Sequence, residues 1–256
     1  HINETRDDHI LTVEDPIELN IPGASQHPVV GDSADAFDEA VRAALRQDVN
    51  TIILGEVRTE ATADIVRRAA ETGHLVMTTI HATNAWTTLT RAINLGIDIE
   101  KLGEPGFLRA ICNQRLLPML CQECAVPAEQ MATNPVLARQ LDRIRRTLSG
   151  HLAFDRLRFK NYAGCPHCNG GSTGLKLVAE ILIPDEHFCD LLQARDLKGA
   201  REYWSDGHLA KHNGLPPANA YSSAYSLMAA GMTCPFDVEH RFTTVHVPKA
   251  HERRHL

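Results

Sequence analysis

Three short apolar runs in this chain each end in residue types that do chemistry. Thr51-Ile52-Ile53-Leu54 runs out to Glu56, Leu75 through Ile80 runs out to His81, and Ile10-Leu11-Thr12-Val13 terminates in Glu14-Asp15-Pro16. Carboxylates suit a divalent cation or the waters around it, and Arg46 and Arg58, both close to strand ends, suit a phosphate. One carboxylate can hold a metal or its waters, a second can orient and deprotonate an attacking water, and a neutral donor after the next strand can report on a terminal phosphate. Such a set is what phosphoryl transfer needs. Alone, Glu56 reads as a charge that starts a helix; Glu14 and His81 change that weighting. His74 and His81 flank one strand and stand on the order of 20 Å apart, so they do not meet one phosphate within a subunit. His81 lies at the ligand edge, whereas His74 suits a charge partner for a helix carboxyl end.

A second signal lies in Cys121-Gln-Glu-Cys124 and Cys165-Pro-His-Cys168. Four thiolates clamp a tetrahedral Zn²⁺ and leave no open position for water, so the site they predict is structural. Cys112, Cys189 and Cys234 read as small buried residues.

The elements that position these groups follow from periodicity. The apolar runs are too short for helices and read as strands buried on both faces. Between Glu56 and Leu75 the pattern predicts a helix, with Thr59 as N-cap, Ile65, Val66, Ala69 and Ala70 as its apolar stripe and Gly73 as a left-handed stop. Strand–helix–strand order implies a largely parallel sheet, and ligands bind at the carboxyl edge of such sheets. Ile17 to Asp32 predicts a loop with a short strand around Val29-Val30. Ser33 caps a helix with Phe37, Val41, Ala44 and Leu45 inward, and Asn84–Gly96 and Phe107–Leu117 predict two more. Beyond Cys121 come a charged helix near Val136–Leu148, an apolar segment Leu177–Ile183, and helices at Leu191–Tyr203 and near Ala218–Ala230. The last residues, HVPKAHERRHL, read as a frayed, solvated tail, and Trp86 and Trp204 as packing residues.

At 256 residues and 43% hydrophobic content the chain has room for one large or two ordinary globular domains. A formal charge of −6 gives no global basic field for nucleic acid. No apolar run is long enough to span a bilayer, so a soluble, cytoplasmic chain is expected.

The segments ILTVEDPIEL, LRQDVNTIILGEVRTEAT and TGHLVMTTIHATNA together resemble the secretion ATPase superfamily of type II secretion and type IV pilus machines, matching its Asp box, Walker B segment and His box in order. The resemblance implies an α/β fold, a RecA-like P-loop NTPase core with a largely parallel sheet, plus a tetracysteine zinc-binding lobe and C-terminal helices. The implied division is a core over residues 1–120, a zinc lobe returning to the core over 121–183, a helical subdomain over 184–245 and a flexible tail over 246–256.

By the same resemblance Glu14 is the catalytic base, Glu56 the Mg²⁺ partner through water, and His74 and His81 the His-box pair. Asp15, Arg46, Arg58 and Arg115 are candidate nucleotide contacts, the arginines across subunits of a homo-hexameric ring. Departures from the family pattern are Val49-Asn50 after Arg-Gln-Asp, and Thr59 and Ala61 where acidic residues are usual. The phosphate loop G-x-x-x-x-G-K-S/T occurs nowhere in the sequence. In the family it lies just upstream of the VEDP strand, so a chain that opens at His1 is expected to be an amino-terminally truncated fragment that turns over little ATP alone.

The implied function is an ATP-hydrolysing motor of pilus assembly or protein secretion. Its partner is an inner-membrane platform protein, its location is the cytoplasmic face of the bacterial inner membrane, and no direct nucleic acid partner is expected. The four-cysteine module favours export over retraction. Two rivals are a non-catalytic, zinc-stabilised interaction module and a conjugative DNA-transfer ATPase.

Overall fold

β-Branched and apolar residues build the strands Ile10–Glu14 (β1), Thr51–Leu54 (β3) and Leu75–Thr78 (β4), which with the polar strand Ala24–Pro28 (β2) are interspersed with the helices Ala34–Ala44 (α1), Glu60–Glu71 (α2), Ala85–Asn94 (α3) and Ile99–Leu102 (α4). Further along come Ile111–Leu120 (β5), Ala128–Met131 (α5), Pro135–Leu148 (α6), Ser172–Leu182 (β6), Glu186–Gln193 (α7), Leu197–Ser205 (α8), Ala220–Ala229 (α9) and Pro235–Arg241 (α10). This is a computed structural model that describes residues 8–29, 34–44, 46–132, 135–209 and 219–249. The described residues up to Ile111, joined by Pro184–Ala200, form one compact unit; Cys112–Ile183 and the described residues from Arg201 onward form the second.

In the first unit β1 to β4 make one sheet in the order β2-β1-β3-β4, with every neighbouring pair parallel. Ile10 lies opposite Ala24 on one side and Thr51 on the other, and Ile52 lies opposite Val76. The core joins Leu11, Val13, Ile52 and Leu54 of the sheet to Val41 and Ala44 of α1 and Ile65 and Ala69 of α2. Thr59 caps α2 by accepting from Thr62 N at 3.1 Å, and Gly73 stops the chain at φ 95°. All four parallel strands therefore end on one edge.

The second unit pairs β5 with β6. Its core gathers Leu117, Ile144, Leu148, Leu157, Phe159, Met228 and Val238. Among the described residues no helix is long and apolar enough to cross a membrane.

Several local expectations are corrected. Residues 107–117 are not helical: exposed Cys112, Gln114 and Leu116 alternate with more covered neighbours, a period of two that the adjacent Leu116-Leu117 pair masks. Cys112 is accordingly exposed, while Cys189 and Cys234 are buried. The strand foreseen at Val29-Val30 lies earlier, in β2, a half-exposed polar edge strand without an apolar run to announce it; Val30, Ser33 and Leu45 lie outside the described residues. The helix foreseen over Leu191–Tyr203 is broken after Gln193, where Arg195 takes φ 56° and Asp196 Oδ1 accepts from Gly199 N at 2.8 Å to start α8.

The helices after Pro184 are shared between the units instead of forming a subdomain, because α7 packs on α4 while α9 and α10 pack on the β6 side. His246 is exposed but not frayed: its ring stacks on Tyr221 with centroids 4.1 Å apart, and the Tyr221 hydroxyl donates to His246 O at 2.6 Å. His251 and His255 lie outside the described residues.

Candidate functional site

Parallel pairing carries the ends of β1, β3 and β4 side by side, so Glu14, Glu56 and His81 stand on successive strand ends. Gly55 N donates to Val13 O at 2.9 Å and Val57 N to Thr79 O at 3.0 Å, which extends the pairing past the strands and seats both carboxylate-bearing turns. Thr79 Oγ1 adds a bond to Gly55 O at 2.6 Å. The Glu56 side chain is only 16% exposed, yet both its oxygens have a side-chain partner. Arg58 Nε donates to Oε2 at 2.6 Å, and His81 Nε2 lies 3.2 Å from Oε1. His81 itself is 87% exposed and so presents most of its ring to whatever occupies this edge.

Glu14 is held differently. Thr12 Oγ1 donates to its Oε1 at 2.6 Å and Gln26 Nε2 donates to the same oxygen at 2.9 Å. Among the described residues Oε2 takes no hydrogen bond, which leaves it available to a proton from water. Neither Thr12 nor Gln26 stands out in the sequence. Thr12 is hidden in an apolar run, and Gln26 lies in a segment whose polarity suggests loop.

The remaining candidates are dispersed. Asp15 is exposed just beyond β1. His74 sits at the opposite end of β4 from His81, its Nδ1 3.0 Å from Ala69 O and 3.0 Å from Thr72 Oγ1, at the carboxyl end of α2. Arg46 follows α1 and shortly precedes the first residue of β3, so it lies toward the amino ends of the strands and away from Glu14 and Glu56. Arg115 belongs to the second unit, its guanidinium 5.2 Å over the Phe242 ring.

The four cysteines meet within the second unit. Their sulfurs all lie within 4.8 Å of one another, with Cys121–Cys165 and Cys124–Cys168 at 3.7 Å and Cys165–Cys168 at 3.6 Å. Sulfurs about 2.3 Å from a tetrahedral Zn²⁺ stand about 3.8 Å apart, so the four match that cage and can hold zinc. Each pair folds as a tight turn, Cys124 N to Cys121 O at 3.3 Å and Cys168 N to Cys165 O at 3.2 Å. Gly171, at φ 82°, lets the second loop close, since a Cβ there collides with Asn161 O. Burial pushes the Cys124 thiol up to about 12. Burial acts the same way on Cys168, but backbone N–H donors of Cys165 and Gly171 outweigh it and bring that thiol down to about 7.

The family profile described as Type II/IV secretion system protein matches residues 1–218. The chain is 36% identical over 187 residues to the type IV pilus assembly ATPase PilB of Pseudomonas aeruginosa, covering 71% of this chain and 30% of that protein. It is 34% identical over 195 residues to the type II secretion system ATPase E of Vibrio cholerae, covering 76% of this chain and 36% of that one. It therefore spans about a third of these relatives. The solved structure of the pilus retraction motor PilT with bound ADP superposes with a TM-score of 0.61 at 24% identity, over 100% of this chain and 57% of that one, a likeness of fold.

Proposed function

Because the chain belongs to the type II/IV secretion system protein family, we propose that it forms part of an ATP-hydrolysing motor that drives type IV pilus assembly or type II protein secretion. The observation that carries the reading is the alignment of Glu14, Glu56 and His81 on three adjacent parallel strand ends.

In this reading Glu14 is the general base. Its Oε1 is held by Thr12 and Gln26, and Oε2 faces the attacking water, where a positioned base contributes roughly 10²–10⁴-fold. Glu56 holds the waters of Mg²⁺, whose charge offsets that developing on the phosphoryl oxygens when it is bound. The carboxylate of Glu56 fits that task because it is held by side chains alone, and Arg58 and His81 can turn from it toward phosphate. Arg46, which follows α1 toward the amino ends of the strands, and Arg115, which belongs to the second unit, suit contacts with a neighbouring subunit of a hexameric ring. Asp15 suits the nucleotide beside Glu14. The tetracysteine lobe supports an export motor, working from the cytoplasm against a membrane platform protein.

None of the 256 residues forms a G-x-x-x-x-G-K-S/T loop, so hydrolysis requires such a loop to be joined to this edge. The test is Mg²⁺-dependent phosphate release by the chain alone and by a polypeptide in which a phosphate-binding loop precedes it. Turnover in the loop-completed polypeptide supports the motor. Turnover in neither turns the reading into a zinc-stabilised interaction module, and stimulation by DNA but not by a membrane partner turns it into a DNA-transfer ATPase.

A further inference from the structure

Gln26 faces Thr12 across the β1–β2 pairing, which puts its side chain on the same face as Glu14, two residues on from Thr12. Its amide is used at both ends. Nε2 donates to Glu14 Oε1 at 2.9 Å and to Leu19 O at 2.9 Å, while Oε1 accepts from Ile21 N at 2.7 Å. The orientation is fixed by these partners: a flipped amide would set oxygen against a carboxylate and a carbonyl, and NH₂ against an N–H. One side chain thus ties Glu14 to the loop between β1 and β2, whose Leu19 is 75% exposed and Ile21 37% exposed.

We propose that Gln26 is a positioning residue for Glu14: it fixes which carboxylate oxygen is offered to the attacking water and couples that choice to the Leu19–Ile21 loop. The inference rests on the reading of Glu14 as general base. Thr12 alone does not specify the geometry, because a hydroxyl rotates and one donor leaves the carboxylate free to turn about its own axis. Two donors converging on one oxygen hold the plane of the carboxylate, and small misplacements of a reacting group are costly in rate.

Glutamate at this position separates the two halves of the contact. Gln26→Glu keeps an oxygen for Ile21 N–H but loses the donor to Glu14 and sets two carboxylates against each other; Gln26→Ala loses both. In the loop-completed polypeptide, Gln26→Glu is expected to lower kcat by roughly tenfold to a hundredfold with KM for MgATP held within about twofold, and to leave the residual rate of Glu14→Gln no lower. Amide exchange at Ile21 stays slow in Gln26→Glu and speeds in Gln26→Ala, which separates a folded loop from a lost one. An unchanged kcat in Gln26→Glu beside an active parent overturns the inference, as does a further loss of equal size in the Glu14→Gln background. A parent that releases no phosphate overturns the functional reading on which the inference stands.

Discussion

Glu56 and His81 meet across the ends of neighbouring strands β3 and β4, carboxylate Oε1 to ring Nε2, at 3.2 Å. The contact exists because Val57 N–Thr79 O and Thr79 Oγ1–Gly55 O carry the pairing beyond the last strand residues. Any ligand that binds Glu56 also feels His81. Glu56→Gln is expected to lower phosphate release by the loop-completed polypeptide roughly 10²-fold or more, with little change in thermal midpoint. The pair faces solvent on the His81 side, and such exposed polar contacts contribute little to stability. A mutant within threefold of the parent removes Glu56 from the proposed chemistry.

His74 has the opposite geometry. Its Nδ1 serves the carbonyl of Ala69, at the amino end of β4, remote from Glu56. His74→Ala is expected to cost about 0.5–1.5 kcal/mol of stability in a denaturant titration and to leave kcat within twofold, whereas His81→Ala lowers kcat. A loss in His74→Ala equal to that in His81→Ala would show that His74 acts on a nucleotide held by another subunit.

Gly103 ends α4 where α7 crosses it. A Cβ there would stand 2.8 Å from Cys189 O and 2.9 Å from Gln193 N, and Gln193 Nε2 already donates to Gly103 O at 3.0 Å. Because the clash is with helix backbone, Gly103→Ala is expected to destabilise the first unit by about 1–3 kcal/mol. Guanidinium unfolding followed at Trp86, which is buried in α3 of the same unit, reads this out.

The site was legible in the sequence where chemistry interrupts an apolar run. Glu14, Glu56 and His81 end strands too short to be helices, and parallel order follows from the helices between them. What the sequence hid is equally physical. Gln26 lies in a strand without an apolar run, because β2 is an edge that buries little; Thr12 looks like one more β-branched strand residue. β5 resembled a helix because Leu116 and Leu117 are adjacent, although only Leu117 is buried. The helix after Pro184 breaks at Arg195, whose positive φ no composition rule announces. Arg46 is close to a strand end in sequence, but it is the amino end, a distinction that only the topology makes.

Cys121 and Cys165 stand 3.7 Å apart, and the loops that carry them are wired into the second core at two points. Cys121 N donates to Gly171 O at 3.0 Å, and Val126 pairs with Phe159, which is fully buried against Leu117, Leu148 and Leu157. Losing the ion would leave four buried or half-buried thiols crowded together beside the Val126–Phe159 pairing. One zinc per chain is expected in elemental analysis of protein purified without chelator, contributing roughly 10 kcal/mol to folding. That is comparable to the net stability of a whole domain. Chelator, or Cys165→Ser, is expected to unfold the second unit, while amide exchange in β1, β3 and β4 keeps its protection. A zinc content near zero, with the second unit still cooperatively folded, would show that the sulfur cage closes without metal.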